Sequence, residues 1–339
     1  MLHIVGIGGG SGLPVLLRGL RGVSGSSGAE RPADFRISAV VCVSDNGGSS
    51  GLLRDAFGIP AVGDLRNCLV ALSEGPELAG LFQFRFGLGG ALGGHSLGNL
   101  IVAALCQTHG GLSRAAERAG RLLGITGRVL PACEGALTLC AEFEDGSVMR
   151  GEFQVANAGR KIRRVWLEPD HHRPAEGVLE AIAAADSIVF GPGSLYTSIL
   201  PNILVPGVAA AIRDSAALKI FVCNLMTQPG ETDFFSAAEH ARVLLSYLGA
   251  GGLDICLLNS APVAGGLQER YQKAGACAVT CEEDEISRLG IVPISGEVAV
   301  NRQGKVRHDP LKVARLVVAV TRGGQRARDI IRGQGDLVA

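Results

Sequence analysis

Three glycine-rich turns, each directly after a short apolar run, do most to constrain how this chain can fold. They lie in the segments HIVGIGGGSG (residues 3–12), VCVSDNGGSSG (residues 41–51) and IVFGPGS (residues 188–194). An apolar run that ends in such a turn is typical of a buried strand that leads into a helix at the carboxyl edge of a parallel sheet. Because backbone amides at these turns can surround an anion, the sequence predicts a phosphate-bearing ligand held at strand ends.

Strands and helices alternate along most of the chain. Apolar runs predict strands at residues 3–7, 35–44, 187–190, 219–225 and 255–259, and helices are predicted at residues 13–20, 64–73, 95–107, 112–123 and 236–248. This rhythm predicts the α/β class, with a Rossmann-like, doubly wound and mostly parallel sheet. Residues 129–167 alternate apolar and polar side chains, which indicates a small antiparallel meander inserted in the middle. We expect one domain over residues 1–325 and a frayed tail over residues 326–339.

The charge and cysteine content exclude several classes of protein. The 339 residues include 32 basic and 32 acidic side chains, so no net field attracts a nucleic acid, and we expect no nucleic-acid partner. The nine cysteines argue against a disulfide framework because their number is odd and most lie singly within apolar runs. Free cysteines and an N-terminus that reads as a first strand, not a signal segment, indicate a cytoplasmic protein.

One stretch without charged residues has the length of a membrane span. Residues 187–212 contain no Asp, Glu, Lys or Arg. Pro192, Pro201 and Pro206 divide this stretch into strand, loop and short helical pieces. The sequence therefore predicts no membrane span.

The first glycine turn matches a dinucleotide-binding fingerprint only in part. Read from Gly6, the third glycine position of G-x-G-x-x-G is occupied by Ser11. We therefore expect Gly9, Gly10, Ser11 and Gly12 to hold a diphosphate rather than a nicotinamide cofactor. The alternative is a glycine turn that serves only the close packing of the helix on the sheet.

Polar side chains after the second strand are candidates for binding ribose or a sugar. Asp45 and Asn46 offer acceptors that suit hydroxyl groups or a magnesium-bound diphosphate, unless they only satisfy the backbone of their own turn. Asp64, Arg66 and Asn67 open the next predicted helix, where Asp64 is either a ligand contact or the N-cap. Magnesium is the one cofactor considered, with Asp45 and Asp64 as its candidate ligands, and no cofactor is required.

Two further turns complete the predicted site. His95 and Asn99 lie at the start of another predicted helix, where His95 is either a base or hydrogen-bond partner for a ligand or a structural residue. Gly193 and Ser194 follow one strand and offer amides and a hydroxyl group, and Asn224 follows the next strand. If these strands are neighbours, the turns share one crevice at the carboxyl edge of the sheet.

The longer motifs resemble a known family. They are similar to the YvcK-type gluconeogenesis factors, in the wider superfamily of 2-phospho-L-lactate transferase (CofD), and include GGGSGLPVLLRGL, VSDNGGSSGLLRDAFGIPAVGDLRN, HSLGNL, GPGSLYTSILPNILV, CNLMTQPGET and RHDPLKVA. The resemblance implies a Rossmann-like fold, a cytoplasmic location and binding of UDP-sugars such as UDP-N-acetylglucosamine. It also implies a role in cell shape and wall synthesis during gluconeogenic growth, with cell-wall or regulatory protein partners and, by analogy, a homodimer.

The transferase branch of the superfamily gives the alternative function. The resemblance to that branch implies transfer of a phospholactyl group from a guanosine diphospho donor to a deazaflavin alcohol, with magnesium near a paired Gly-Asp-Asp. This chain has Ser44, Asp45 and Asn46 there, so an amide replaces the second carboxylate, and its aromatic content of 4% offers few rings to stack a tricyclic acceptor. In that alternative His95 or Asp45 is the catalytic base. Both departures favour ligand binding without transfer.

Overall fold

The computed structural model describes residues 1–24 and 35–335, with side chains as far as residue 324. Within these residues the strands are β1 Leu2–Gly8, β2 Phe35–Val41, β3 Arg128–Pro131, β4 Thr138–Phe143, β5 Val148–Arg150, β6 Ile162–Glu168, β7 Ser187–Phe190, β8 Leu218–Val222, β9 Ile255–Asn259, β10 Val292–Gly296, β11 Ala299–Arg302 and β12 Lys305–His308. The α-helices are α1 Leu13–Ser24, α2 Gly48–Phe57, α3 Gly63–Leu72, α4 Pro76–Gln83, α5 Leu97–His109, α6 Leu112–Leu123, α7 Glu152–Ala156, α8 Val178–Ala183, α9 Leu200–Ile203, α10 Val208–Asp214, α11 Ala237–Leu248, α12 Gly265–Lys273, α13 Glu283–Arg288 and α14 Pro310–Gly335. A π-helix spans Leu195–Ile199.

Seven of these strands form one parallel sheet in the order β10-β9-β8-β7-β1-β2-β3. Every neighbouring pair is parallel, so the carboxyl ends of all seven lie at one edge. From β1 the chain adds β2 and β3 on one side and later β7 to β10 on the other, so the order reverses between β1 and β7. This confirms the predicted Rossmann-like, doubly wound sheet, and such a reversal is where open α/β sheets bind ligands.

The central strands are buried on both faces. All residues of β7 and β8 are buried, and in β1 only Leu2 is partly exposed. These strands are continuous apolar runs, as expected of a parallel sheet covered by helices. In α1, the buried residues Leu13, Leu16, Leu17 and Leu20 repeat at helical spacing and join the same core. This core fixes where β1 and β7 end, and therefore where their turns lie.

The predicted antiparallel sheet is present, and along the chain its strands come after β3 and before β7 of the large sheet. Its strand order is β5-β4-β6, so β4 is central and pairs with both others. The short helix α7 interrupts the segment 129–167, which was expected to be entirely antiparallel strands and turns. Residues 128–131, which overlap the expected start of the insert, form β3 at the edge of the large sheet.

Several element boundaries differ from the sequence predictions. The strand β2 ends at Val41 rather than at residue 44, and α5 begins after His95. The helices α2 and α4 were not predicted. In α2, glycine and serine at the start disfavour a helix, and the packing of Leu53 in the core overrides that preference. The helix α14 extends to Gly335, and residues 336–339 lie outside the described range, so the frayed tail over residues 326–339 stays a prediction.

No single helix in the described part of the chain has both the length and the apolar character to cross a membrane. One pair of short helical segments, Leu195–Ile203 and Val208–Asp214, passes such a test only when taken together, and the two are bent by 79°.

Candidate functional site

The turn after β1 and the turn after β7 lie against each other at the carboxyl edge of the sheet. A Cβ atom added to Gly12 would lie 2.1 Å from the carbonyl oxygen of Pro192, so only glycine fits at this contact. The contact follows from the sheet, since β1 and β7 are neighbours and Ile7 pairs with Phe190 directly before the two turns. The two glycine turns therefore form one structure.

A cavity of about 250 Å³ opens beside the paired turns. The predicted site residues that line it are Gly10, Ser11, Gly12, Gly193, Ser194 and Asn224. The backbone amides of Ser11, Gly12, Gly193 and Ser194 have no hydrogen-bond partner among the residues that the structure describes. Oγ of Ser194 accepts a hydrogen bond of 2.6 Å from Nε2 of Gln228, which closes one side of the cavity. Four amides without partners beside a cavity can bind the oxygens of an anion.

Asp64 binds the first turn and does not cap its own helix. The N-cap of α3 is Val62, so Asp64 lies in the first turn of the helix and the N-cap alternative is wrong. Its Oδ2 accepts a hydrogen bond from the amide of Gly10, and Gly9 leaves room for this carboxylate because an added Cβ would lie 2.6 Å from it. Burial raises the pKa of Asp64 to about 6, the Gly10 hydrogen bond opposes this, and the charge of Asp45 adds to it.

Asp45 and Asn46 hold the second turn and the antiparallel sheet together. Oδ1 of Asp45 accepts a hydrogen bond of 2.8 Å from the amide of Gly47 within the turn. Asn46 reaches α7: its Nδ2 donates to Oε1 of Gln154 at 2.8 Å, and its Oδ1 accepts from the amide of Phe153 at 2.9 Å. Asp45 therefore satisfies the backbone of its own turn, as the turn alternative expected, whereas Asn46 bonds a distant helix and not its own turn.

Glu152 at the start of α7 brings a third carboxyl group to this place. Its Oε2 accepts a hydrogen bond of 2.8 Å from Oγ of Ser44. Burial, followed by the charges of Asp64 and Asp45, raises the pKa of Glu152 well above its usual value. Yet no group of three or more His, Cys, Asp or Glu side chains in the described ranges is arranged to hold a metal ion. A metal here would need oxygens from a ligand as well.

His95 belongs to a chain of polar contacts at the start of α5. Its Nδ1 lies 3.1 Å from Oγ of Ser49, which accepts a hydrogen bond of 3.0 Å from Nδ2 of Asn99. Oγ of Ser96 is the N-cap of α5 and accepts a hydrogen bond of 2.6 Å from Nη1 of Arg66.

Nη2 of Arg66 donates to Oδ1 of Asn67. The structure thus brings His95, Asn99, Arg66 and Asn67 together in one network. None of them lines the cavity beside the glycine turns.

A buried glutamate lies behind Ser194. Glu231 is 4% exposed; its Oε1 accepts a hydrogen bond of 3.3 Å from Oγ1 of Thr197, and its Oε2 has no partner in the described part of the chain. Burial raises the pKa of Glu231 to about 7. Thr197 belongs to the π-helix Leu195–Ile199 that follows Ser194, a conformation that is frequent at functional sites.

The far wall of the cavity comes from a region that the sequence analysis did not assign to the site. Tyr271, Val306, Arg307 and His308 line it. The hydroxyl group of Tyr271 accepts a hydrogen bond of 3.1 Å from the amide of Val306. Nε2 of His308 lies 3.1 Å from the carbonyl oxygen of Cys223, and burial lowers the pKa of His308 to about 4. The ring is therefore neutral with Nε2 as donor, and Nδ1 is left as an acceptor.

Comparison with known proteins gives a consistent result. Residues 4–299 match the family described as 2-phospho-L-lactate transferase CofD. The chain is 43% identical over 317 residues to the gluconeogenesis factor of Halalkalibacterium halodurans, an alignment that covers 93% of this chain and 95% of that protein. It is 42% identical over 312 residues to the gluconeogenesis factor of Bacillus subtilis, covering 92% and 95%.

Solved structures agree with these relatives. A crystal structure of protein BH3568 from Bacillus halodurans superimposes with a TM-score of 0.88 at 42% identity, and the match covers 94% of this chain and 99% of that one. The seven-stranded sheet, the paired glycine turns and these relatives lead to the same assignment. The chain belongs to the CofD family, among the gluconeogenesis factors.

Proposed function

We propose that this protein binds a nucleoside-diphosphate sugar, a UDP-sugar such as UDP-N-acetylglucosamine, and acts as a regulator. The observation that carries the proposal is the group of four amides without partners at Ser11, Gly12, Gly193 and Ser194, beside a cavity at the strand-order reversal. A diphosphate supplies several anionic oxygens over a short distance, which suits such a group. The gluconeogenesis-factor relatives and the motifs shared with that family support the choice of ligand.

The cavity offers distinct groups to the rest of the ligand. The acceptor Nδ1 of His308 and the amide of Asn224 suit the N–H and hydroxyl groups of a base or ribose. The phenol ring of Tyr271 offers an apolar face on the same wall. Neither Asp45 nor Asp64 lines the cavity, and Asp64 contacts the first turn through the Gly10 amide. We assign these two residues to sugar hydroxyls rather than to the base.

Magnesium fits the site only together with the ligand. Asp64 and Asp45 are near enough for the charge of one to shift the pKa of the other, but the described carboxylates do not form a complete metal cage. Magnesium commonly binds through one or two carboxylates together with phosphate oxygens. We therefore propose Asp45 and Asp64 as the residues that would hold it, where the ion would neutralise the diphosphate beside these carboxylates.

We further propose that the protein has a regulatory rather than a catalytic role. The family resemblance supports a function in cell shape and wall synthesis during growth on gluconeogenic carbon, with protein partners that respond to the bound ligand. The nine cysteines are free, as in proteins of reducing compartments, which supports a cytoplasmic location. The homodimer stays a prediction.

Isothermal titration calorimetry of the purified protein tests the proposal. We expect saturable binding of UDP-N-acetylglucosamine with magnesium, and weaker binding by Asp45→Ala, because that change removes one carboxylate from the proposed magnesium and sugar contacts. Glu180→Ala, on the exposed face of α8, is the matched control and should bind as the unaltered protein does. Absence of heat with every UDP-sugar tested up to millimolar concentration would refute the assignment.

One observation favours the transferase alternative. The carboxyl groups of Asp45, Asp64 and Glu152 lie close enough together, beside the first glycine turn, for their charges to interact. Such carboxyl groups can hold magnesium on a donor diphosphate or take the proton of an attacking alcohol. Incubation with a phospholactyl guanosine diphosphate, magnesium and a deazaflavin alcohol distinguishes the two functions. Release of guanosine monophosphate would establish transfer, whereas binding of UDP-sugars without that release supports the regulator.

A further inference from the structure

A larger cavity lies along the free edge of the seven-stranded sheet. It measures about 530 Å³ and lies between α6 and β3, the last strand at that edge. It shares no lining residue with the cavity beside the glycine turns. The proposed nucleotide-sugar site therefore does not account for it.

The strand β3 presents unpaired backbone groups to this cavity. The amide of Ala132 donates to the carbonyl of Val41, and by alternation along the strand Leu130 and Arg128 also turn their backbone groups toward β2. Val129 therefore turns its N–H and C=O groups away from the sheet. Neither group has a hydrogen-bond partner among the residues described. Directly after β3 the carbonyl oxygen of Ala132 accepts a hydrogen bond from the amide of Ala175, and Pro131 has no N–H to donate. The edge is therefore open around Val129, and this part of it is a template for a further strand.

The cavity has the shape of a groove for an extended chain. The residues that line it run along α6 from Ser113 to Gly124, the residue directly after the helix. Eleven helical steps correspond to about 16 Å, which is the length of about five extended residues. Ala116 and Gly120 form the helical side of the groove and have little or no side chain. Both are buried, and the side chain of Ile125 covers Gly120, so an added strand would run along the outer side of β3 rather than against these two residues.

Positive charge without a partner lines the groove. Arg121 pairs with Glu117 on the same helix. Arg114 and Arg128 also line the groove, and neither has an ion-pair partner in the described part of the chain. Glu176 is the other acidic residue of the lining. Three arginines against two glutamates leave the lining with a net positive charge, which favours carboxylate side chains on whatever binds there.

We propose that this groove binds an extended, acidic segment of a partner protein, which adds as a strand to the outer edge of β3. Main-chain hydrogen bonds to Val129 supply the register, and Arg114 and Arg128 select acidic side chains at neighbouring positions. The site is separate from the glycine turns, so the proposal does not depend on which ligand binds there.

Fluorescence anisotropy with a labelled seven-residue peptide of alternating valine and glutamate tests the proposal on the full chain. We expect saturable binding, weakened about tenfold or more by Arg114→Glu or Arg128→Glu, because each change removes a charge-assisted contact and adds repulsion. Arg118→Glu is the matched control: it lies on the same helix but outside the groove, and should change the affinity less than about twofold.

A backbone variant separates strand addition from simple charge attraction. Val129→Pro removes an N–H that faces away from β2 and keeps the hydrogen bonds of β3 to the sheet, so a folded variant should lose peptide binding. Circular dichroism shows whether the Val129→Pro variant folds. If it does not fold, the Arg114 and Arg128 variants test the proposal without it.

Four results would overturn the proposal. The first is no saturable binding at millimolar peptide, and the second is equal weakening by the Arg114 and Arg118 changes. The third is equal binding of a peptide in which lysine replaces glutamate, and the fourth concerns a small anion. Displacement by succinate at the affinity of the peptide would point to a small-anion site and would equally contradict strand addition.

Discussion

At the scale of single residues, the candidate site is marked by three buried or partly buried carboxyl groups. Asp64 accepts a hydrogen bond from the Gly10 amide, Glu152 from Ser44, and Glu231 from Thr197. Burial raises the pKa of each of the three acids. A stable core gains nothing from such groups, because an uncompensated buried carboxylate destabilises the folded state. Their presence near the first glycine turn therefore supports the proposed ligand site.

Glu231 should make the stability of the protein depend on pH. Its pKa is raised in the folded protein to about 7 from an ordinary 4.5, so the folded state binds the proton more tightly than the unfolded chain does. Stability is therefore lost as pH rises from about 4.5 to 7, by an amount on the order of 2–3 kcal/mol. Glu231→Gln should remove this loss.

Urea unfolding at pH 5 and pH 8 measures this effect. The Glu231→Gln variant should be more stable than the unaltered protein at pH 8 by about 2 kcal/mol and nearly equal at pH 5. Glu180→Gln, an exposed change on α8, should alter neither value by more than about 0.5 kcal/mol. If the Glu231 variant and the unaltered protein were equally stable at both pH values, the folded protein would not raise the pKa of Glu231.

Asp64 should make ligand binding depend on pH in the absence of magnesium. A diphosphate on the first glycine turn meets the Asp64 carboxylate, and protonation of that group, whose pKa is about 6, removes the repulsion. Affinity for UDP-N-acetylglucosamine should therefore fall by up to about tenfold per pH unit above 6, since one bound proton is linked to binding. Magnesium should flatten this dependence.

Calorimetry between pH 5 and pH 8 with Asp64→Asn checks the assignment. The variant keeps an oxygen acceptor for the Gly10 amide but carries no charge, so its affinity should not change across this range. An equally steep dependence in the Asp64→Asn variant would place the titrating group elsewhere.

At the scale of elements, the two glycine turns act as one unit because their strands are neighbours. Gly12→Ala should separate the turns, since the added Cβ would lie 2.1 Å from the Pro192 carbonyl oxygen. We expect a loss of stability of about 2–4 kcal/mol and at least about tenfold weaker ligand binding. Thermal unfolding and calorimetry measure the two effects.

Gly80→Ala is the matched control for this change. Gly80 lies inside α4, and an added Cβ would meet no atom within 4 Å. The change should therefore stabilise the protein slightly, by about 0.5–1 kcal/mol. If Gly12→Ala were tolerated as well as Gly80→Ala, the close contact between the turns would be wrong.

The sequence predicted the parts of the site that follow strands directly. Gly10 to Gly12, Gly193, Ser194 and Asn224 could be found because an apolar run and a turn are local signals. Glu152 and Tyr271 could not, because each reaches the site from a different part of the chain through tertiary packing. The bond of Asp45 to Gly47, two residues on, is the local turn contact that the sequence allowed. The bonds of Asn46 to α7 join distant parts of the chain, so no spacing rule could place them.

At the scale of the whole molecule, strand order decides where the ligand is expected. The sheet runs outward from β1 and β7 in both directions, and the cavity lies at their carboxyl ends. The α/β rhythm of the sequence predicted this sheet, but not the order of its strands, because order depends on packing between distant segments. The edge groove at β3 is a second consequence of that order, since it exists only because β3 is the last strand.

A crystal structure with UDP-N-acetylglucosamine and magnesium would show where the ligand binds. We expect the diphosphate to lie between the two glycine turns, within hydrogen-bond distance of the amides of Ser11, Gly12, Gly193 and Ser194. A diphosphate bound in the groove beside β3, or anywhere out of reach of these amides, would contradict it.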